Sequence, residues 1–79
     1  AYILKALTFI TPNVTEASIL LREEYPQKPL ASTELKSKLV RLSELGPSKV
    51  VITGVSTLTC RLANAGYDRD RSAFWLVEC

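Results

Sequence analysis

Several residue types that build common catalytic and metal sites are scarce or missing from these 79 residues. There is no histidine, and there are only two cysteines, Cys60 and Cys79. The lack of histidine excludes Ser-His-Asp and Cys-His catalytic groups and histidine-containing metal sites within this sequence. Two cysteines are too few for a four-cysteine zinc site. One disulfide bridge between them is an alternative that nothing in the sequence indicates, and reduced thiols in a cytoplasmic protein are the default expectation.

An excess of charge of one sign and long hydrophobic runs are also missing. Ten Lys and Arg residues stand against eight Asp and Glu residues, which gives a net charge of +2 and no basic run. We therefore expect no nucleic-acid partner. No apolar run reaches the roughly 18–20 residues of a membrane-spanning helix, so we expect no membrane partner. The glycine-rich patterns of P-loop and dinucleotide-binding proteins are missing as well.

What remains is the composition of a small globular domain, with 47% hydrophobic and 23% charged residues. Apolar residues stand at both ends of the sequence, at 2–4 and at 74–77. Because natural termini are usually polar, we expect residues 1–79 to form a single partial domain, the central segment of a longer protein.

The first half of the sequence predicts a strand followed by a helix. The run at 6–10 is rich in strand-forming residues, and Pro12 ends it. Asn13 is a good helix N-cap residue with Glu16 three positions later. Apolar residues then recur at helical spacing, which predicts a helix over 14–22.

A second helix and a second strand follow a proline-containing loop. Ser32 or Thr33 is expected to cap a helix that runs to about Leu45, before a Gly-Pro stop. Glu34 and Lys38 have the spacing of an ion pair along one helix face.

The β-branched run at 49–53 predicts a strand buried on both faces, and Gly54 is expected to end it.

The last twenty residues indicate a β-hairpin. Extended runs at 62–67 and 72–79 flank the polar turn at 68–71, and Gly66 is expected to mark a bulge. The tip, which includes Tyr67, has two interpretations: a solvated turn, which the alternating charges favour, or a lid that contacts phosphate.

The order strand, helix, helix, strand, hairpin predicts the α/β class. A helical crossover makes the first two strands parallel, with a right-handed connection. In such sheets the carboxyl ends of the strands line the ligand-binding crevice. We therefore expect residues 11–13 with Glu16, and Thr53 with Gly54, to lie at one rim of the sheet.

Each of these two polar segments has a structural and a functional interpretation. Asn13 and Glu16 fit a capping box, which the pattern favours, but a carboxylate and an amide at a helix N-terminus also suit Mg²⁺ and phosphate. Thr53 and Gly54 fit an ordinary strand end. They equally fit a hydroxyl and a bare backbone close to a nucleotide phosphate, where a side chain at 54 would obstruct approach.

Three stretches of the sequence, at 9–17, 45–54 and 63–71, resemble the pyridoxal kinase branch of the ribokinase-like family. The Asn-x-x-Glu pattern of the first stretch is shared with other kinases of that superfamily. The Ala-Gly-Tyr-Asp-Arg-Asp-Arg segment looks most like bacterial pyridoxal kinases. Related hydroxymethylpyrimidine kinases tend to carry Lys-Gly-Gly-His where this sequence has Ile-Thr-Gly-Val at 52–55.

The resemblance implies a ribokinase-like three-layer fold, of which this segment supplies a parallel βαβ unit followed by a β-hairpin. It also implies Mg²⁺- and ATP-dependent phosphorylation of the 5′-hydroxymethyl group of pyridoxal, pyridoxine or pyridoxamine. A homodimer of the full-length kinase is compatible with the resemblance.

By the same resemblance, Glu16 would help to hold Mg²⁺ and Asn13 would position the metal-phosphate assembly. Thr53 and Gly54 would contact ATP phosphate, although Gly54 lacks the hydroxyl that the family often has there. Thr11 and Thr53 would offer oxygens to a monovalent cation.

The family's catalytic Asp, in a Gly-Thr-Gly-Asp motif, does not occur in this sequence. We therefore expect no catalytic residue in the segment and no activity from the segment alone. Two alternatives are a hydroxymethylpyrimidine or sugar kinase of the same superfamily, and a non-catalytic α/β binding module.

Overall fold

Two helices connect the first two strands of a four-stranded sheet. The structure, a computed structural model, describes residues 8–26, 28–57 and 62–77, so the predictions made for Cys60 and Cys79 lie outside the described residues. The predicted order of elements is confirmed. The elements are β1 (Phe9–Ile10), α1 (Val14–Leu21), α2 (Ser32–Ser43), β2 (Lys49–Val55), β3 (Ala63–Asp68) and β4 (Ala73–Val77). Within those ranges, none of the helices has the length and apolar character needed to cross a membrane.

The strands follow one another across the sheet in the order β1-β2-β3-β4. β1 and β2 are parallel, with Phe9 opposite Lys49 and Ile10 opposite Val50, and the two later pairs are antiparallel. The parallel pairing confirms the α/β prediction, because a chain that crosses back through helices re-enters the sheet in the same direction.

Both helices pack on the same face of the sheet. Leu39 and Leu42 of α2 are buried against Val50 and Ile52 of β2, and Ala17 of α1 joins the same core. Val51 and Thr53, which alternate with the buried residues of β2, are only half-buried. The prediction that this strand is buried on both faces is therefore wrong for the described residues, because helices cover one face only.

α1 begins at Val14, as its pattern predicts, but it ends before the predicted residue 22. Asn13 is the N-cap, and the helix ends at Leu21, followed by Arg22 in the left-handed conformation with φ 57°.

α2 differs at both ends from its prediction. Its N-cap is Ala31 rather than Ser32 or Thr33, and the helix ends at Ser43, before Leu45. Because Ala31 has no side-chain acceptor, the start of α2 relies on Glu34, whose Oε1 accepts from the backbone N–H of Ala31 at 3.4 Å.

Lys38 pairs with a residue outside its own helix. Its Nζ lies 2.8 Å from Glu23 Oε1, and Arg41 Nη2 lies 2.6 Å from Glu23 Oε2. The predicted pair of Lys38 with Glu34 is wrong, because Glu23, just after α1, comes within reach of both cations. These two ion pairs connect a residue that follows the end of α1 to the second half of α2.

β2 contains a bulge that its sequence did not predict. Ile52 pairs with Ala65, but the next pair joins Val55 to Ala63, so Thr53 and Gly54 both lie opposite a single residue of β3. Gly54 has φ 66°, a conformation that glycine adopts without strain. Gly54 therefore does not end the strand. The extra residue turns Val55 back to the helix-covered face, where it is buried.

Gly66, which we expected to mark a bulge, lies in regular pairing between Val51 and Trp75. A Cβ atom at this position would overlap the indole ring of Trp75. The prediction of a bulge at Gly66 is wrong. The glycine instead makes room for the tryptophan of the neighbouring strand.

The predicted hairpin is confirmed, and its turn is anchored to the end of α2. Arg69 Nη1 donates to the carbonyl of Ser43 at 2.7 Å, and the Arg69 backbone N–H donates to the carbonyl of Ser48 at 2.8 Å. Asp70 and Arg71 at the tip are exposed. The turn thus has an anchored first residue and a solvated tip.

No helix among the described residues covers the second face of the sheet. Phe9, Trp75 and Val77 remain 51%, 45% and 58% exposed. The chain therefore forms two layers, helices and sheet, within those ranges.

Candidate functional site

The segment after β1 continues alongside β2 and forms one rim of the sheet with it. Asn13 and Thr53 form a parallel bridge in the same register as the β1 and β2 pairs. The Thr53 N–H donates to the carbonyl of Pro12 at 3.0 Å. Proline can still accept a hydrogen bond in this position, although it cannot donate one. The predicted meeting of Asn13 and Thr53, far apart in the sequence, is therefore observed.

Asn13 and Glu16 form the reciprocal capping box that their spacing favours. Asn13 Oδ1 accepts from the Glu16 N–H at 2.8 Å, and Glu16 Oε1 accepts from the Asn13 N–H at 2.9 Å. Both residues are exposed. The structural interpretation of this motif is confirmed. The second carboxylate oxygen of Glu16, Oε2, has no hydrogen-bond partner within the described ranges.

The side chains near Glu16 fit a metal ion whose other ligands are water molecules and phosphate oxygens of a bound nucleotide. In the part of the chain that the structure describes, no three His, Cys, Asp or Glu residues form a group able to hold a metal. Mg²⁺ is commonly bound by one or two carboxylates, with water and substrate phosphates as its other ligands. Glu16 can supply one such carboxylate oxygen, so the residues present fit a Mg²⁺-nucleotide better than a metal ion alone.

A groove of about 420 Å³ lies beside Glu16, between the end of β1 and the first turns of α1. Thr11 lines it and is exposed, and Ile19 and Leu20 supply its apolar wall. Thr53 does not line this groove. The structure therefore places Thr11 with Glu16, and Thr53 with Asn13, on two adjoining parts of the same rim.

The bulge at Thr53 and Gly54 leaves backbone open at the rim. Gly54 is exposed, and a Cβ atom at this position would meet nothing within 4 Å. Glycine is needed here because of its positive φ, and the surrounding space is free for a ligand.

Asn64, a residue that the sequence did not single out, lies across from this bulge. The Gly54 N–H donates to Asn64 Oδ1 at 3.4 Å. The signal that could have located this contact was the single glycine inside the β-branched run, since an isolated glycine in a strand pattern is typical of a bulge.

Comparison with known proteins identifies kinases as structural neighbours. The chain matches no protein-family model and no curated protein. Among solved structures, it superposes with a TM-score of 0.90 on a candidate phosphomethylpyrimidine kinase from Bacteroides thetaiotaomicron, in an orthorhombic crystal form with pyridoxal. The two proteins are 34% identical over 99% of this chain. A rhombohedral form of that protein gives a TM-score of 0.89 at 35% identity over 99% of this chain.

A Bacillus subtilis pyridoxal kinase, solved as an ADP complex, superposes on 98% of this chain with a TM-score of 0.74 and 24% identity, which shows a shared fold. The chain spans 28% of the orthorhombic Bacteroides structure, 26% of the rhombohedral one and 28% of the Bacillus structure. The neighbours are thus kinases of the phosphomethylpyrimidine and pyridoxal kinase type, and the predicted ribokinase-like α/β fold is confirmed.

Proposed function

We propose that residues 1–79 are a partial domain of a longer ATP-dependent kinase that phosphorylates the 5′-hydroxymethyl group of pyridoxal and related B6 vitamers. The observation that carries the proposal is the parallel bridge of Asn13 to Thr53, which places an exposed carboxylate-amide pair and an open backbone at one rim of the sheet. The superposition on a protein crystallised with pyridoxal supports the choice of substrate.

The proposed roles follow from the chemistry of each group at the rim. Glu16 Oε2 supplies one Mg²⁺ ligand, and the N-terminus of α1, held by Asn13, provides partial positive charge for phosphate. Thr53 and the Gly54 backbone would contact the phosphate chain of ATP, and Thr11 and Thr53 would offer oxygens to a monovalent cation. Bound Mg²⁺ would neutralise charge on the phosphates.

The proposal of a partial domain has independent support from the sheet. Its second face carries exposed Phe9, Trp75 and Val77, which is unusual for a finished sheet because apolar faces are normally covered. A further layer of the longer protein would cover that face. The proton acceptor for the substrate hydroxyl would also come from outside these residues.

A second candidate function is phosphorylation of a hydroxymethylpyrimidine or its phosphate. The relative at 34% identity carries a phosphomethylpyrimidine kinase name, which favours this alternative. Both substrates are flat heteroaromatic rings with a hydroxymethyl group, so the phosphate-transfer rim proposed above would serve either of them.

Phosphate transfer by the full-length protein tests the proposal. The protein is incubated with MgATP and pyridoxal, hydroxymethylpyrimidine or ribose, and the phosphorylated products are quantified. We expect the highest kcat/KM with pyridoxal. A preference for hydroxymethylpyrimidine would support the second candidate. Binding of MgATP without transfer to any of the three acceptors would favour a non-catalytic binding module and contradict the proposal.

A further inference from the structure

Asn64 lies on β3, directly opposite the bulge of β2. Its neighbours along β3 are Ala63, which pairs with Val55, and Ala65, which pairs with Ile52. Asn64 therefore lies opposite the two residues of the bulge, Thr53 and Gly54. Asn64 is exposed, whereas Ala63 and Ala65 are buried on the helix-covered face. The amide side chain therefore belongs to the open side of the strand.

The side chain of Asn64 replaces a hydrogen bond that the bulge removes from the ladder. Its Oδ1 accepts from the Gly54 N–H at 3.4 Å, while on the other side of β2 the Thr53 N–H donates to the carbonyl of Pro12 at 3.0 Å. The Thr53–Gly54 backbone is thus held from both neighbouring segments. Bulges commonly reorient groups beside functional sites, and this one has an exposed glycine in free space.

The Asn64 side chain uses its Oδ1 atom in the contact with Gly54, so its NH₂ group is available to donate hydrogen bonds. An amide whose oxygen accepts from a backbone N–H presents its NH₂ group away from that contact, with two hydrogens to donate. No described residue accepts a hydrogen bond from it. Phosphate oxygens are strong acceptors, so an NH₂ group beside an open glycine backbone suits them.

We propose that Asn64 is a third residue of the phosphate-binding rim: its Oδ1 positions the Gly54 backbone, and its NH₂ group donates to a phosphate oxygen of the nucleotide. This inference rests on the proposed function, because it takes MgATP as the ligand at Thr53 and Gly54. It adds a residue from β3 to a site otherwise built from β2 and the start of α1.

The test compares Asn64→Asp with Ser72→Asp in the full-length protein. Aspartate at 64 keeps an oxygen that can accept from Gly54 but replaces the donor with a negative charge. Aspartate at 72 adds the same charge at the other end of the hairpin, where the backbone has φ 50°, a conformation that Asp tolerates. Asn64→Ala is the second variant, which removes both the acceptor and the donor without adding charge.

Binding of MgATP and of adenosine is measured by calorimetry at low and high salt. We expect Asn64→Asp to weaken MgATP binding about tenfold or more at low salt, and less at high salt, because repulsion between exposed like charges is screened. Adenosine binding should be unchanged, since adenosine has no phosphate. Ser72→Asp should bind both ligands as the wild type does, and Asn64→Ala should weaken MgATP binding without the salt dependence.

Three outcomes would overturn the inference. Equal MgATP affinity of Asn64→Asp and the wild type would remove Asn64 from the site while leaving the proposed function intact. Equal loss of adenosine and MgATP binding would show that residue 64 acts on the fold rather than on phosphate. If the wild type itself fails to bind MgATP, the proposed function and this inference fall together.

Discussion

At the scale of single residues, Glu16 caps α1, and a substitution can separate this observed role from the Mg²⁺-binding role that we propose for it. One of its carboxylate oxygens accepts from the Asn13 N–H, and the other is exposed. A glutamine at this position keeps an acceptor for the cap and loses the negative charge that a metal ion requires.

Glu16→Gln is therefore expected to change the free energy of unfolding by less than about 0.5 kcal/mol. Mg²⁺-dependent phosphate transfer by the full-length protein should fall by about 10- to 100-fold or more, because the loss of a mere outer-shell partner of a metal ligand already costs about that much. The matched control is Glu34→Gln, because Glu34 makes the corresponding contact at the start of α2. Similar activity in the two variants would exclude Glu16 from metal binding.

The glycines of β2 and β3 are required for different physical reasons, which predicts different mutant phenotypes. Gly66→Ala should destabilise the protein by about 1–3 kcal/mol, because the new methyl group overlaps the Trp75 ring and forces it to move. Gly54→Ala should cost about 1–2 kcal/mol through its positive φ alone.

Urea unfolding measures both costs, and near-ultraviolet circular dichroism of the native state distinguishes them. Only Gly66→Ala should alter the tryptophan signal from Trp75, the one tryptophan of this sequence. An unchanged stability and spectrum for Gly66→Ala would contradict the packing described for Trp75.

At the scale of elements, Glu23 links the two helices through Lys38 and Arg41. Hydrogen bonds from Lys38 and then Arg41 hold the pKa of the Glu23 carboxyl below its ordinary value. Because the folded-state pKa is lowered, the carboxylate stabilises the fold above its unfolded-state pKa of about 4.5, and this contribution is lost as the pH falls through the lower folded-state pKa.

Glu23→Gln should accordingly lower the free energy of unfolding by about 0.2–1 kcal/mol between pH 5 and pH 7, the range measured for exposed ion pairs. The difference from the wild type should shrink below pH 4.5 as the wild-type carboxylate is protonated. Glu24→Gln, on the exposed neighbouring glutamate, is the control, and it should leave the free energy of unfolding between pH 5 and pH 7 nearly unchanged because Glu24 makes neither of these ion pairs. A gap between wild type and Glu23→Gln that stays constant down to pH 2 would rule out this linkage.

At the scale of the whole molecule, one face of the sheet is packed, and no described residue covers the other. The helices bury Val50, Ile52 and Val55, whereas Phe9 and Trp75 remain exposed on the opposite side. A sheet open on one apolar side is expected to be marginal by itself, because a short chain buries a smaller share of its surface than a full domain does.

The 79-residue polypeptide, expressed alone, is expected to show no phosphate transfer from MgATP to pyridoxal. Its exposed sheet face should bind a hydrophobic dye more strongly than the full-length protein does, because a further layer would cover that face. Product formation and dye fluorescence are measured side by side at equal molar concentration. Any turnover by the isolated polypeptide above a no-enzyme blank would refute the partial-domain proposal.

How far the sequence could predict this structure depends on the range of the interactions involved. The start of α1 and the approximate positions of the hairpin strands followed from local signals, namely the Asn13 cap, the helical spacing and the polar turn. The Lys38 pairing could not be predicted, because its partner, Glu23, lies in another element and competes with the local Glu34. The bulge was also missed, because its position depends on which residue of β3 faces β2.

The sequence by itself determined the order of elements, the parallel pairing of β1 with β2 and the capping box of Asn13 and Glu16. These features arise from residues close together in the chain or from the direction in which a crossover returns it. Only the tertiary structure decided that Asn64 faces Gly54, that Trp75 lies over Gly66 and that Val55 rejoins the core. Each of those contacts depends on the register between strands, which is set by packing a common core rather than by neighbouring residues.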